Sequence, residues 1–267
     1  MRPMKPFLLL RPLLVVSIAA ASALPLPAQT PAPAFGEHSW TLSSAVTSAY
    51  LFRGVRRAGV SFQPALDFYS GPLALGAWSN VALDEVDGPD RDPEIDFYGS
   101  YTFASADGTR SLVPGVTVYT YPDSQHTAGL HAVTVEPSLA ANLTVRGVRL
   151  TPKIYYDAML EGATYEFTAA TAWPLTTWGT ELALALTAGT FRWNDLADTS
   201  PAVKNWGDYW TASVTLPVQI GLRSQLALNV TYSEGRNHFY KSGRTPREAN
   251  PDADRRAAVT LSYAHTF

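Results

Sequence analysis

The sequence predicts an all-β protein, a transmembrane antiparallel up-and-down β-barrel of about twelve strands. Three observations carry that expectation: segments of strand length that alternate apolar and polar residues, connections that alternate short and long, and an aromatic residue at the end of the last strand. Counting back from Phe267 by twos gives His265, Tyr263, Leu261, Val259 and Ala257, with Thr266, Ala264, Ser262, Thr260 and Arg256 between them. A period of two is that of a strand with one apolar and one polar face.

Composition narrows the class. Of 267 residues, 12% are aromatic and only 16% charged, with a net charge of −3, so there is no basic surface of the kind that binds nucleic acid. A mean hydropathy of −0.04 excludes a helical membrane bundle, which needs several long apolar runs. It is the average that strands alternating between lipid-facing and water-facing residues produce. The chain contains no cysteine, which excludes disulfides, thiolate metal sites and a lipidated cysteine anchor. About 240 residues remain after the export signal, a length that suits one large barrel.

At the N-terminus, Arg2 and Lys5 precede an apolar segment from Phe7 to Leu24 that is broken by Arg11-Pro12, and small residues follow at Ala21-Ser22-Ala23 and at Ala28. This predicts an export signal over residues 1–28, cleaved after 23 or 28. The uninterrupted stretch from Leu13 to Leu24 falls short of the roughly 18 to 20 residues a spanning helix needs. Residues 29–39 then form a short periplasmic segment and residues 40–267 the barrel.

Strands are expected over residues 40–52, 61–70, 72–83, 94–104, 110–121, 131–143, 147–158, 163–174, 178–192, 207–217, 222–233 and 256–267. In the fourth, Ile95, Phe97, Tyr101 and Phe103 interleave with Glu94, Asp96, Tyr98, Ser100 and Thr102. In the seventh, Val148, Leu150, Ile154 and Tyr156 interleave with Arg149, Thr151, Lys153 and Asp157. Connections at 70–72, 104–109, 145–147, 174–177 and 217–221 are short; those at 54–60, 84–93, 122–130, 192–206 and 234–255 are longer and polar, and 160–162 is the one short member of that set. Short turns belong on the periplasmic side and long loops outside, which leaves both termini in the periplasm. Trp40, Trp173 and Trp178 are expected at the periplasmic membrane interface, and Tyr50, Tyr121, Trp206 and Trp210 at the outer one. Aromatics of a soluble sandwich are the competing reading, but so many alternating strands would need an inner layer larger than one soluble barrel of this size can fill.

The segment Val46-Thr47-Ser48-Ala49-Tyr50-Leu51-Phe52-Arg53-Gly54 resembles the opening motif of the TorF family of Gram-negative outer-membrane porins. Similar pieces follow in order: Gln63-Pro64-Ala65-Leu66, Gly76-Ala77-Trp78-Ser79-Asn80, Glu94-Ile95-Asp96-Phe97-Tyr98-Gly99-Ser100-Tyr101 and Tyr119-Thr120-Tyr121-Pro122. The resemblance covers roughly residues 45–122. Arg56-Arg57 depart from it, where the family usually carries small polar residues. The resemblance implies a pore-forming barrel in the bacterial outer membrane and names no solute. Separately, the aromatic end at Phe267 resembles the closing strand of bacterial outer-membrane β-barrels, which implies that the barrel-assembly machinery reads it.

Catalytic chemistry is not expected. Hydrolysis needs a nucleophile, a base and an orienting group within reach of one another, whereas His38, His126, His131, His238 and His265 fall mostly in expected loops or near termini. There is no phosphate-binding glycine loop and no paired-histidine metal motif, so no cofactor or metal is expected. The acids Asp84, Glu85, Asp87, Asp90 and Asp92 lack the regular spacing of a calcium loop and read as a solvated acidic loop, although one that could bridge lipopolysaccharide through a divalent cation.

Alternation assigns Asp67, Glu94, Asp96, Glu136, Asp157, Glu166 and Glu181 to the lumen, with Arg53, Arg149 and Lys153. Charges withdrawn from bulk water persist when paired or hydrated, and a lumen provides both. A cluster of Glu136, Lys153 and Glu166 is expected at mid-height, with Lys153 diagonal to Glu166. The function these features suggest is passive diffusion of small hydrophilic solutes or ions through the outer membrane. The expected surroundings are outer-membrane lipid and lipopolysaccharide, with no nucleic-acid partner. The alternative is a non-conducting barrel that serves as a surface-binding or envelope-organising scaffold.

Overall fold

The computed structural model describes residues 38–84, 93–122, 132–194, 204–240, 248–249 and 251–267. The expected export signal, residues 29–37, His126, His131 and the loop acids Glu85, Asp87, Asp90 and Asp92 lie outside the described residues. Twelve antiparallel strands close into one barrel: β1 His38–Thr47, β2 Ser61–Ser70, β3 Leu73–Ala82, β4 Glu94–Tyr101, β5 Arg110–Thr120 and β6 Val133–Val145 are followed by β7 Val148–Asp157, β8 Gly162–Leu175, β9 Thr180–Asn194, β10 Lys204–Gln219, β11 Ser224–Tyr240 and β12 Arg256–Thr266. Each strand pairs with its chain neighbours, and β1 closes on β12 with Thr41 opposite Thr266 and Thr47 opposite Thr260. Closure pairs both edges of the described sheet, the condition for crossing hydrocarbon with strands.

The apolar sets face out. Every strand presents at least one large exposed apolar side chain on its outer surface, among them Leu42, Leu75, Phe97, Leu139, Phe167 and Leu261. On that surface the charged residues whose side chains are described, Arg110, Arg192, Asp208, Glu234 and Arg236, lie towards the two rims of the barrel. Such a belt would be costly in water and is the surface that lipid requires, where a mid-plane charge costs about 2 to 4 kcal/mol. The fold is that of a membrane-embedded barrel.

The connections sort to two ends. Turns at 71–72, 105–109, 146–147, 176–179 and 220–223 share one end with both ends of the barrel's chain; the other end carries the long connections and the tight turn 158–161. Arg146 and Gly147 adopt φ of 50° and 81°, the left-handed pair that lets a two-residue turn match the strand twist. In the 105–109 turn Asp107 accepts hydrogen bonds from the Ser105 hydroxyl at 2.6 Å and from the Thr109 amide and hydroxyl at 3.1 and 2.9 Å. Those donors favour the ionised form, chiefly the Ser105 hydroxyl, and hold the Asp107 carboxyl down to about 2. Because the folded value is depressed, this stabilisation of the turn is present above the ordinary carboxylate range and is lost as pH falls through about 2. A titration of the Asp107 carboxyl carbon by NMR should find its midpoint there, and Ser105→Ala should move it upward; a midpoint near 4 in the unaltered protein would contradict the turn as described.

Two boundaries differ from the sequence expectation by five residues or more. β1 ends at Thr47 instead of residue 52, and residues 50–52 belong to a separate hairpin. β11 runs on to Tyr240 instead of ending at 233. Strands β8 to β11 have 14 to 17 residues, more than the roughly 9 to 11 that span a bilayer. This wall therefore stands above the membrane at the long-loop end, where polar residues such as Glu234 and Arg236 no longer mark the end of a strand.

Candidate functional site

The connection between β1 and β2 does not project away from the barrel. Tyr50–Phe52 and Val55–Ala58 pair only with each other, a two-stranded ribbon outside the barrel ladder. Tyr50, Leu51, Val55 and Ala58 are all buried, which a loop in solvent would not allow. Tyr50 and Ala58 pack on Trp78 and Ala65 of the neighbouring wall, with the Tyr50 and Trp78 ring centroids 5.5 Å apart. The ribbon lies inside the lumen.

At its tip, Arg53 and Gly54 both adopt left-handed φ, 49° and 80°. Glycine takes this conformation freely, whereas an L side chain strains by about 1 kcal/mol. The Arg53 side chain compensates with contacts. Its Nη1 and Nη2 donate to Oε2 and Oε1 of Glu136 on β6 at 2.8 and 2.7 Å, a bidentate fork in which both side chains are almost fully buried, 6% and 2% exposed. Three rings surround the guanidinium: Phe52 at 4.7 Å, Tyr155 of β7 at 4.6 Å and Trp193 of β9 at 5.5 Å from ring centroid to Cζ. Tyr119 of β5 donates to Glu136 Oε1 at 3.0 Å and fixes the carboxylate from behind. Gly54 rests on the facing wall, where a Cβ added to it would lie 2.5 Å from Tyr209 Cβ and 2.8 Å from Gly235 Cα. The hairpin thus crosses the lumen from the β1–β2 side to β10 and β11.

Two tyrosines line the passage by one device. Tyr98 of β4 faces Gly76 of β3, whose missing side chain lets the ring lean across and donate to Asp67 of β2 at 2.6 Å. Asp67 is itself paired with Gly76. In the same way Tyr209 of β10 leans over Gly189 of β9 and donates to Glu166 of β8 at 2.7 Å, and Glu166 is paired with Gly189. A side chain at either glycine would collide with the ring. Sequence reasoning missed this arrangement, because the three residues of each set are adjacent only after register is fixed across three strands.

The structure places the other sequence-selected residues as follows. Glu94 accepts from Tyr50 at 2.9 Å and from Tyr121 at 3.2 Å. Asp96 is 1% exposed and neither carboxylate oxygen has a hydrogen-bond partner among the described residues. Arg149 points inward on β7, and its Nη1 lacks a partner among the described residues. Glu181 lies on the inward face of β9 near the short-turn end.

Several assignments need correction. Asp157 does not contribute a free lumen charge: its Oδ1 accepts from the Met159 and Leu160 amides at 2.9 and 2.8 Å and caps the 158–161 turn. Lys153 is directly opposite Glu166, not diagonal to it. Its Nζ lies 4.1 Å from the Tyr155 ring, Glu166 is held by Tyr155 and Tyr209, and Glu136 is ion-paired to Arg53 instead. Tyr50 and Tyr121 are not membrane-interface residues, since both donate inward to Glu94. Trp40, Trp173 and Trp210 are exposed on the outer face, Trp178 is exposed in the 176–179 turn, and Trp206 is half-buried towards the end of β10. Phe267 is exposed beside His265, and its amide donates to Trp40 O at 2.8 Å.

Chemically, the arrangement narrows the lumen and places charged groups along it. Among the described residues no cluster of three or more metal-ligating side chains is present. A family described as "Bacterial protein of unknown function (Gcw_chp)" matches residues 31–160. No curated protein matches the chain. Among solved structures, an outer membrane channel from Pseudomonas putida F1 superposes with a TM-score of 0.50 at 13% identity, over 88% of this chain and 97% of that one. The NanC porin superposes with a TM-score of 0.48 at 7% identity, over 85% and 98%. What the Pseudomonas channel shares with this chain is the fold, a single closed barrel over nearly the whole length of both.

Proposed function

We propose that the chain is a porin-like channel of the bacterial outer membrane, passing small hydrophilic solutes or ions by diffusion. The observation that carries this reading is the inner hairpin, which narrows a lumen lined by charged and hydroxyl side chains without joining the barrel ladder. A constriction of fixed charge in a water-filled barrel selects by size and sign. The resemblance of residues 45–122 to the TorF porins points the same way. In this reading the short-turn end is periplasmic, the apolar belt contacts lipid, the long-loop end meets lipopolysaccharide, and no catalytic step is involved. Liposome swelling with refolded protein tests it: glycerol and small sugars should enter, with rates falling steeply with size, and impermeability to all of them would reject diffusion.

The depth at which Arg53 is buried supports a second reading, a sealed barrel that acts as a scaffold at the cell surface. Impermeable liposomes containing demonstrably folded protein would favour it.

Assembly supplies a separate expectation. If the barrel-assembly machinery reads Phe267, deleting that residue should lower the heat-modifiable, folded fraction in outer membranes several-fold. Normal yield from the deletion would show that Phe267 is an ordinary strand end.

A further inference from the structure

We propose that the cage around Arg53 is a binding site for small solutes carrying a guanidinium group, with Arg53 as its tethered occupant. This rests on the channel reading for its physiological sense, though not for its chemistry. Apart from Phe52, the cage belongs to the barrel wall: Glu136 from β6 supplies the bidentate carboxylate, Tyr119 from β5 orients it, and Tyr155 from β7 and Trp193 from β9 cover the guanidinium faces. A planar fork against a carboxylate with rings on its faces is the recognition geometry for guanidinium rather than ammonium.

Two further observations argue for a ligand site over a simple latch. The hairpin shares no ladder with the barrel, so its withdrawal would leave every wall hydrogen bond and four of the five cage groups in place. Next to the cage, opposite Tyr119, Asp96 keeps both carboxylate oxygens unpartnered among the described residues. A tethered occupant acts as a competitor at an effective concentration of order millimolar or above, so free solute should bind better once Arg53 is removed.

The test is calorimetric titration of methylguanidinium chloride into the refolded full chain in detergent micelles, with methylammonium chloride as the control cation. Arg53→Ala is expected to bind methylguanidinium saturably, the unaltered protein at least ~10-fold more weakly, and Arg53→Ala/Glu136→Gln not at all. Methylammonium should bind Arg53→Ala more weakly than methylguanidinium. If Arg53→Ala fails to give heat-modifiable barrel, a variant with residues 50–58 replaced by a Gly-Ser turn is the second host. Folded protein that shows no saturable binding, or binding that survives loss of Glu136, would overturn the proposal. Because the readout needs no current, a sealed barrel that binds methylguanidinium would refute the channel reading alone. A conducting barrel without Glu136-dependent binding would refute this inference alone.

Discussion

Replacing residues 49–59 with a short Gly-Ser connection is expected to raise single-channel conductance about threefold or more. The hairpin occupies the lumen with two short strands and plants Gly54 against Tyr209 and Gly235 on the far wall. Its removal leaves the barrel ladder untouched, because Tyr50–Phe52 and Val55–Ala58 pair only with each other. A point substitution should reproduce part of the effect. In Gly54→Val the new side chain meets the left-handed φ of 80° and the 2.5 Å approach of Tyr209 Cβ together, so the tip cannot stay seated. Planar-bilayer recording checks both variants, and unchanged conductance in the deletion would show that the hairpin is not the constriction.

Replacing Glu136 by Gln should have the largest effect on stability, a loss of roughly 3 kcal/mol of the 3 to 5 typical when one partner of a buried ion pair is removed. Arg53 would remain buried with its charge uncompensated, and the glutamine oxygen could accept only part of the fork. The hairpin can reduce the loss by carrying Arg53 out of the lumen, since it shares no ladder with the barrel. Arg53→Met/Glu136→Gln should therefore recover a substantial part, since neither charge is then stranded. Urea unfolding in lipid followed by tryptophan fluorescence measures the series. A single mutant as stable as the unaltered protein would mean that water or another cation already compensates Arg53.

The twelve strands were legible because each has to keep lipid on one face and the lumen on the other, and that demand writes a period of two into the sequence. Lumen-facing positions such as Glu94, Glu136, Lys153 and Glu166 follow from the same alternation. The hairpin was hidden by continuity: Trp40, Leu42, Ser44, Val46, Ser48, Tyr50 and Phe52 keep one parity, so the break at Ser48-Ala49 looks like more strand. A signal was present in Arg53-Gly54 between the apolar Tyr50-Leu51-Phe52 and Val55, the pattern of a two-residue hairpin turn. Pairing was less accessible. Arg53 takes Glu136 from Lys153 because the hairpin brings it there, and nothing in the order of residues along β6 to β8 reveals a competitor from the first loop. The tall β10 and β11 were cut short for a different reason, since above the membrane polarity no longer distinguishes strand from loop.

Of the ten charges placed in the lumen, seven are acidic and three basic. With Asp157 engaged in capping its turn and the hairpin bringing Arg56 and Arg57 into the lumen, the excess of acids falls to one. The most direct measurement is the reversal potential of refolded, unaltered protein in a planar bilayer under a potassium chloride gradient. Discrete conductance steps with a modest preference for potassium are expected, and Lys153→Met, which leaves Glu166 without the base opposite it, should increase that preference. Anion selectivity, or no conductance from a folded barrel, would contradict a channel whose passage is set by this acidic constriction.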